Sequence, residues 1–340
     1  MPSSRPTAPV RATGARRSCL RGTLLPALLL LTLAACGGGT SGSGDNGGSP
    51  GDGNDDGTNG TTGFSYRSLT PAADTDSFAT QTAAQGSAGY RYSSNLVFGT
   101  TEREIHIRNN DAPASFEYRF LVPATTSAAL VEQANTQGAL GYRFRGNLAF
   151  SVSGDTQITA VYVRDSGVAA DYVYEALSST HTVAERQAQL DAQAARGYRY
   201  VSDFVIGTEE SFSLYARDQN RSETYAYKLL EPATTQTDLA TQLNTEGAAN
   251  YRYRGSIYLS GDDQIRTIFV SRTSAPGTYA YQLLPAQTSA AAFLEQANTQ
   301  GANGLLRQGD LSAGGSTVSL FVDPADCNCR PLRLADPFID

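Results

Sequence analysis

Twenty-four residues separate the second aromatic of a recurring pair from a later landmark position, five times over: Tyr66 to Tyr90, Tyr118 to Tyr142, Tyr174 to Tyr198, Tyr227 to Tyr251 and Tyr281 to Leu305. Five equal intervals do not arise by chance. They require a tandem array, with repeats beginning near 64, 116, 172, 225 and 279. The repetition also shows in the letters, where "NTQGALGYRFRG" from Asn135 returns as "NTEGAANYRYRG" from Asn244.

Each repeat reads as β-α-β-β. It opens with alternation, as in "YAYKLL", where Tyr225 and Tyr227 share one face of a half-buried strand and Lys228 points away. The matching pairs are Phe64/Tyr66, Phe116/Tyr118, Tyr172/Tyr174 and Tyr279/Tyr281. A Pro and a Thr/Ser-rich cap follow, then a short helix in which Leu239 and Leu243, or Leu130 and Ala134, lie four apart on one face. Gly86, Gly138, Gly247 and Gly301 stand where a helix C-terminus would turn left-handed; Ala194 breaks the series, so the third helix is expected to end differently. Just before the landmark stand Gly89, Gly141, Gly197, Asn250 and Gly304, a second position that predicts positive φ. A strand such as "YRYRG", a hairpin of variable length and a third strand ending at Arg108, Arg164, Arg217, Arg272 or Asp323 complete the unit. The expected fold class is therefore α+β, a tandem array of five β-α-β-β repeats of about 53 residues: 64–113, 114–169, 170–222, 223–276 and 277–324, with a tail over 325–340. A domain of ~60 residues buries only about 60% of its unfolded surface, so units this small are expected to pack on one another.

The stretches "LNTEGAANYRY" from Leu243 and "LDAQAARGYRY" from Leu190 resemble a bacterial family of small β-α-β-β domains of unknown function. Its members show Leu-Asn, two residues, Gly-Ala, one residue and Gly-Trp before the second strand. Tyr or Leu replaces that Trp here. The resemblance implies a fold and no reaction, so it assigns no catalytic residue.

Ahead of the array lies an address. Arg5, Arg11, Arg16, Arg17 and Arg21 form a basic leader, followed by an apolar run from Leu24 to Ala35. The run is shorter than the ~20 residues a membrane-spanning helix needs and suits a signal peptide over residues 1–35. Leu33-Ala34-Ala35-Cys36 resembles a bacterial lipobox, which implies acylation of Cys36 and attachment to a lipid bilayer. Arg16-Arg17 followed by Leu20 also fits a twin-arginine signal, although a general export leader accounts for the same residues. Residues 37–63 carry no aliphatic or aromatic side chain and read, with Cys36, as a disordered tether. Two motif matches in the tether lack their context. Gly47 to Gly51 fits G-x-S-x-G without strand or helix, and Asp52, Asn54 and Asp56 begin a calcium loop whose twelfth position is Gly63.

The whole chain carries −7, and without its leader 21 bases face 33 acids, a charge of −12. That balance argues against nucleic acid as a partner and leaves membrane attachment to the acyl chains. Chemistry-bearing residues are few. His106 and His181 occupy non-equivalent places and read as strand or surface residues, and the carboxylates read as a solvated acidic face. No catalytic constellation, metal quartet or cofactor motif is legible. Cys327 and Cys329 admit a local disulfide, an intermolecular pairing, or redox or metal work. The aromatic pairs read as core with hydroxyls reaching water, or as a sugar-stacking platform.

Arg91, Arg143, Arg199 and Arg252 each follow a landmark Tyr, and Leu306 holds the fifth place. They form either a periodic row that engages a repeating envelope anion or a set of ordinary surface ion pairs, and the excess of acids favours the second. The expected function is that of a membrane-anchored cell-envelope lipoprotein with a non-catalytic structural or binding role toward a glycan or protein partner. The alternative is an envelope redox or hydrolytic accessory enzyme using Cys327 and Cys329. Gly37, where Asp would favour inner-membrane retention, points to the outer membrane, facing periplasm or cell surface.

Overall fold

A computed structural model describes residues 63–323, apart from Pro113, Ser153, Thr208, Glu209 and Ala275. Cys36, Cys327, Cys329 and the leader lie outside the described residues. The first repeat contains β1 (Phe64–Leu69), α1 (Thr75–Ser87), β2 (Arg91–Phe98) and β3 (Thr101–Asn109). The second contains β4 (Phe116–Leu121), α2 (Ser127–Gly138), β5 (Arg143–Val152) and β6 (Asp155–Asp165). β7 (Tyr172–Ser178), α3 (Val183–Ala195), β8 (Arg199–Ile206) and β9 (Glu210–Asp218) make the third. β10 (Tyr225–Leu230), α4 (Gln236–Ala248), β11 (Arg252–Leu259) and β12 (Gln264–Arg272) follow as the fourth. β13 (Ala280–Pro285), α5 (Ala290–Ala302), β14 (Leu306–Ala313) and β15 (Ser316–Asp323) close the series. The result is a repeated α+β pattern with five three-stranded antiparallel sheets, in each of which the third strand lies between the first and the second.

Local chemistry fixes every helix at both ends. Asp74, Thr126, Thr182, Thr235 and Ser289 are the N-caps, and each side chain accepts from the backbone N–H three residues on. Such a cap is worth ~1 kcal/mol. At the other end the landmark's own N–H donates to the carbonyl five residues back, as from Tyr90 to Gln85 at 2.8 Å and from Leu305 to Gln300 at 3.0 Å. The residue before the landmark has positive φ as expected, from 70° at Asn250 to 84° at Gly304.

The other glycine series has a different cause from the expected left-handed turn. Gly86, Gly138, Gly247 and Gly301 lie within their helices. There the helix presses on the first strand of the next repeat. A Cβ on Gly138 would stand 1.9 Å from the carbonyl oxygen of Tyr172, and one on Gly301 would stand 2.2 Å from that of Phe64. The third helix does not end differently either. α3 spans 13 residues like α1, and Ala194 sits in it 1% exposed.

These approaches join consecutive repeats. α1 packs on β4, α2 on β7, α3 on β10, α4 on β13, and α5 on β1. The last contact returns the chain to its first strand. Phe64, Tyr66 and Ile107 accordingly share one buried cluster with Phe293, Ala297 and Leu306.

A single hydrogen bond recurs at every junction. The hydroxyl of Tyr118 accepts from the N–H of Tyr92 at 2.8 Å, Tyr174 from Phe144 at 2.9 Å, and Tyr227 from Tyr200 at 2.9 Å. Tyr281 accepts from Tyr253 at 2.8 Å, and Tyr66 from Arg307 at 2.8 Å. At three junctions an Asn of the preceding helix also brackets the strand. Asn135, Asn244 and Asn298 accept from the N–H of Tyr174, Tyr281 and Tyr66 at 2.6, 2.8 and 2.7 Å. The hydroxyls therefore meet backbone donors instead of water. At each junction a helix packs on the first strand of the next sheet and a Tyr hydroxyl meets one N–H near the start of the second strand.

The close approach at Gly138 generates a prediction. Gly138→Ala should destabilise the protein by ~2 kcal/mol or more, because a methyl group there displaces backbone. Ala194→Gly removes a methyl the junction accommodates and should cost only ~1 kcal/mol. Urea unfolding of both variants measures the contrast.

Candidate functional site

The second strands bring the arginines together. Arg91, Arg143, Arg199 and Arg252 open β2, β5, β8 and β11 and are 2%, 2%, 4% and 1% exposed. Leu306 opens β14 at the equivalent place, 3% exposed. The expectation that these arginines lie at the solvated surface is therefore wrong. A position that accepts Leu in one repeat is an interior position, and the Arg residues share it.

Each second strand carries a bulge two residues further on. Its register against the third strand slips at Ser93, Arg145, Val201, Arg254 and Gln308, the residues left out of the ladder. A bulge frees one residue from pairing and re-aims its side chain. In the second and fourth repeats that residue is another Arg.

The guanidiniums of different repeats lie within one another's field. Burial first, then the charges of Arg91 and Arg143, holds Arg145 well below the usual arginine range. Burial and then Arg143 lower Arg199. Arg254 is pushed down to about 9 by burial and by Arg199, Arg252 and Arg143. Arginine keeps its proton at neutral pH, so these depressions express the cost of gathering buried cations. The tyrosines of the junctions stand among them: Tyr118 beside Arg91 and Arg145, Tyr174 beside Arg143 and Arg199, Tyr227 beside Arg199 and Arg254. Burial raises all three phenols, which therefore remain protonated.

A cavity of about 420 Å³ opens where four of the second strands converge. Arg91 of β2, Arg145 of β5, Arg252 of β11 and Arg307 of β14 line it, together with Ser93, Gln308 and one carboxylate, Asp310. Arg307 and Asp310 form an ion pair at 2.7 Å. With its amide oxygen turned toward Arg252, Gln308 accepts from Nε at 3.0 Å and Nη2 at 2.9 Å. The arrangement gathers four guanidinium groups and one carboxylate at one half-open cavity, and guanidinium forks are groups that hydrogen-bond oxyanions.

The remaining expectations fall elsewhere. Phe64, Tyr66, Phe116, Tyr172, Tyr174 and Tyr225 are buried, and so are Tyr227, Tyr279 and Tyr281, which leaves no stacking platform. His106 is wholly buried on β3, 3.5 Å from Glu104, whose carboxylate accepts from the Ala72 N–H and from Gln81. His181 is exposed, with Nδ1 3.1 Å from Ser260 Oγ. Glu104 and Asp165 are 1% and 4% exposed, so not every acid belongs to a solvated face. Among the described residues no group of three or more His, Cys, Asp or Glu side chains is placed to hold a metal ion.

Sequence reasoning missed Arg145, Arg254 and Arg307. Reading the strand as regular alternation hides a bulge. The only available signal was that "RFRG" and "RYRG" repeat both arginines just before a Gly. Comparison of the chain with protein-family models, with curated proteins and with solved structures gives no match.

Proposed function

We propose that the chain is a membrane-anchored cell-envelope lipoprotein with a non-catalytic binding role, and that its five units of about 53 residues act as one closed body with an anion site at its centre. The observation that carries the binding role is the convergence of Arg91, Arg145, Arg252 and Arg307, from four repeats, on one cavity. The lipobox ending at Cys36 and the tether over 37–63 support the anchor, and Gly37 supports the outer membrane. More than one acyl chain gives stable attachment, and the tether would hold the array roughly 30 Å from the bilayer as a flexible coil. The repeats would then be divergent members of the small β-α-β-β family they resemble, with the Trp exchanged for Tyr or Leu.

The anchor is tested by detergent-phase partition of the protein from its own envelope. The wild type should enter the detergent phase, and Cys36→Ser should be released or left unprocessed. A wild-type protein that stays aqueous and is cut at a conventional site removes the lipoprotein reading.

A further inference from the structure

The connectors between consecutive repeats differ in what they offer to solvent. Each runs from the end of a third strand to the start of the next first strand, and the one between β9 and β10 covers residues 219–224, "QNRSET". It contains Asn220-Arg221-Ser222, an Asn-x-Ser sequence with x other than Pro, the acceptor form for N-linked glycan in an exported chain. Such a sequence carries meaning only on an accessible loop, and here it has one. Gln219 and Asn220 form a turn, residues 221–224 belong to neither helix nor strand, and Asn220 and Ser222 are both exposed.

The loop is held in a way that leaves both side chains to solvent. Asp218, at the end of β9, fixes the backbone: its carboxylate accepts from the N–H of Asn220 at 3.0 Å and from that of Asp171 at 3.1 Å. Its carbonyl accepts from the N–H of Arg221 at 3.2 Å, which closes the turn around Asn220. The Arg221 guanidinium folds back on Asp218 and Glu223, at 3.4 and 3.3 Å. The Asn220 amide and the Ser222 hydroxyl make no hydrogen bond among the described residues. Other asparagines are committed to the fold: Asn135, Asn244 and Asn298 bracket first strands, and Asn250 meets Ser271 and the Gly277 N–H. Counted from the third-strand residue opposite the opening aromatic, the other connectors place Asp111, Gly167 and Ser274 where this one places Asn220.

We infer that Asn220 is a glycosylation site, whose amide accepts one oligosaccharide from a lipid-diphosphate-linked donor through an envelope transferase that reads Asn220 and Ser222. Nδ2 bonds to the anomeric carbon of the first sugar, and the bond from that carbon to the diphosphate oxygen breaks. The lipid diphosphate leaves, and one amide proton passes to the transferase. The inference requires the export proposed above and goes beyond it to a covalent modification. Because backbone bonds and the Asp218 carboxylate shape the turn, the glycan joins a finished loop without breaking a contact.

Mass spectrometry of the full-length chain purified from its own envelope tests the site, read on the peptide that contains residue 220. The wild-type peptide should exceed its amino-acid mass by one oligosaccharide, which fragmentation places on the Asn220 amide. Asn220→Gln and Ser222→Ala should lose that mass completely, while Ser222→Thr, which keeps a hydroxyl, should retain it. Both side chains are exposed, so each variant should melt as a folded protein. The tether holds a second acceptor sequence, Asn59-Gly60-Thr61, outside the described residues, and a glycan confined to Asn59 overturns the assignment. So does an unmodified Asn220 peptide from wild type that enters the detergent phase, or a glycan that Ser222→Ala keeps. A wild type that stays aqueous but carries the Asn220 glycan defeats the anchor reading alone. One that stays aqueous with Asn220 unmodified defeats both.

Discussion

The bond between a tyrosine hydroxyl and a backbone N–H of the preceding repeat is the interaction on which the rest depends. The second aromatic of each pair is Tyr in all five repeats, and each one makes that bond. A net hydrogen bond of this kind is worth ~1 kcal/mol, and removing one partner from a buried pair costs ~1–3 kcal/mol. The bond also sets lengths. The Tyr docks on one neighbour, while the helix that follows docks on the other through its glycine. The landmark after that helix begins the strand that receives the next Tyr. An insertion between Tyr and landmark would spoil two junctions together, which accounts for the constant 24 residues. Hairpins at the far ends of the sheets meet the start of the preceding repeat's helix, as where the Val183 N–H donates to Asp262. These are exposed contacts that loops of different length can make, and the length variation collects there.

Joining the repeats in this way has an electrostatic consequence. The residue after each landmark lies at the start of the second strand, and four of the five are Arg. Packed helix to strand through five junctions, the second strands direct these residues and the bulge arginines inward. Burial and mutual repulsion then lower Arg145, Arg199 and Arg254 together. Such a centre places several guanidinium groups in the interior, where each has to be met by hydrogen-bonding or charged partners.

Much of the architecture was legible in the letters. Periodicity marked the strands and helices, the positive-φ position was readable because Asn250 substitutes for Gly, and Leu239 and Leu243 fell on the buried helix face. What stayed hidden belongs to contacts between repeats. Gly138 looked like a helix terminus because the sequence does not say that Tyr172 of the next repeat lies against it. The arginines looked like surface because charge is ordinarily solvated. Only the apolar Leu306 at the fifth equivalent place hinted otherwise. The bulges at Arg145 and Arg254 left no mark that alternation can detect.

Native-state hydrogen exchange on Tyr66→Phe is the most direct test of mutual dependence among the repeats. Tyr66 belongs to the first repeat, and its hydroxyl serves the N–H of Arg307 in the fifth. If the repeats form one cooperative closed body, deleting that hydroxyl accelerates exchange of the most protected amides in all five sheets by a common factor. Acceleration confined to β1 and β14, with β6, β9 and β12 unchanged, would contradict the account and leave the repeats as independently stable units.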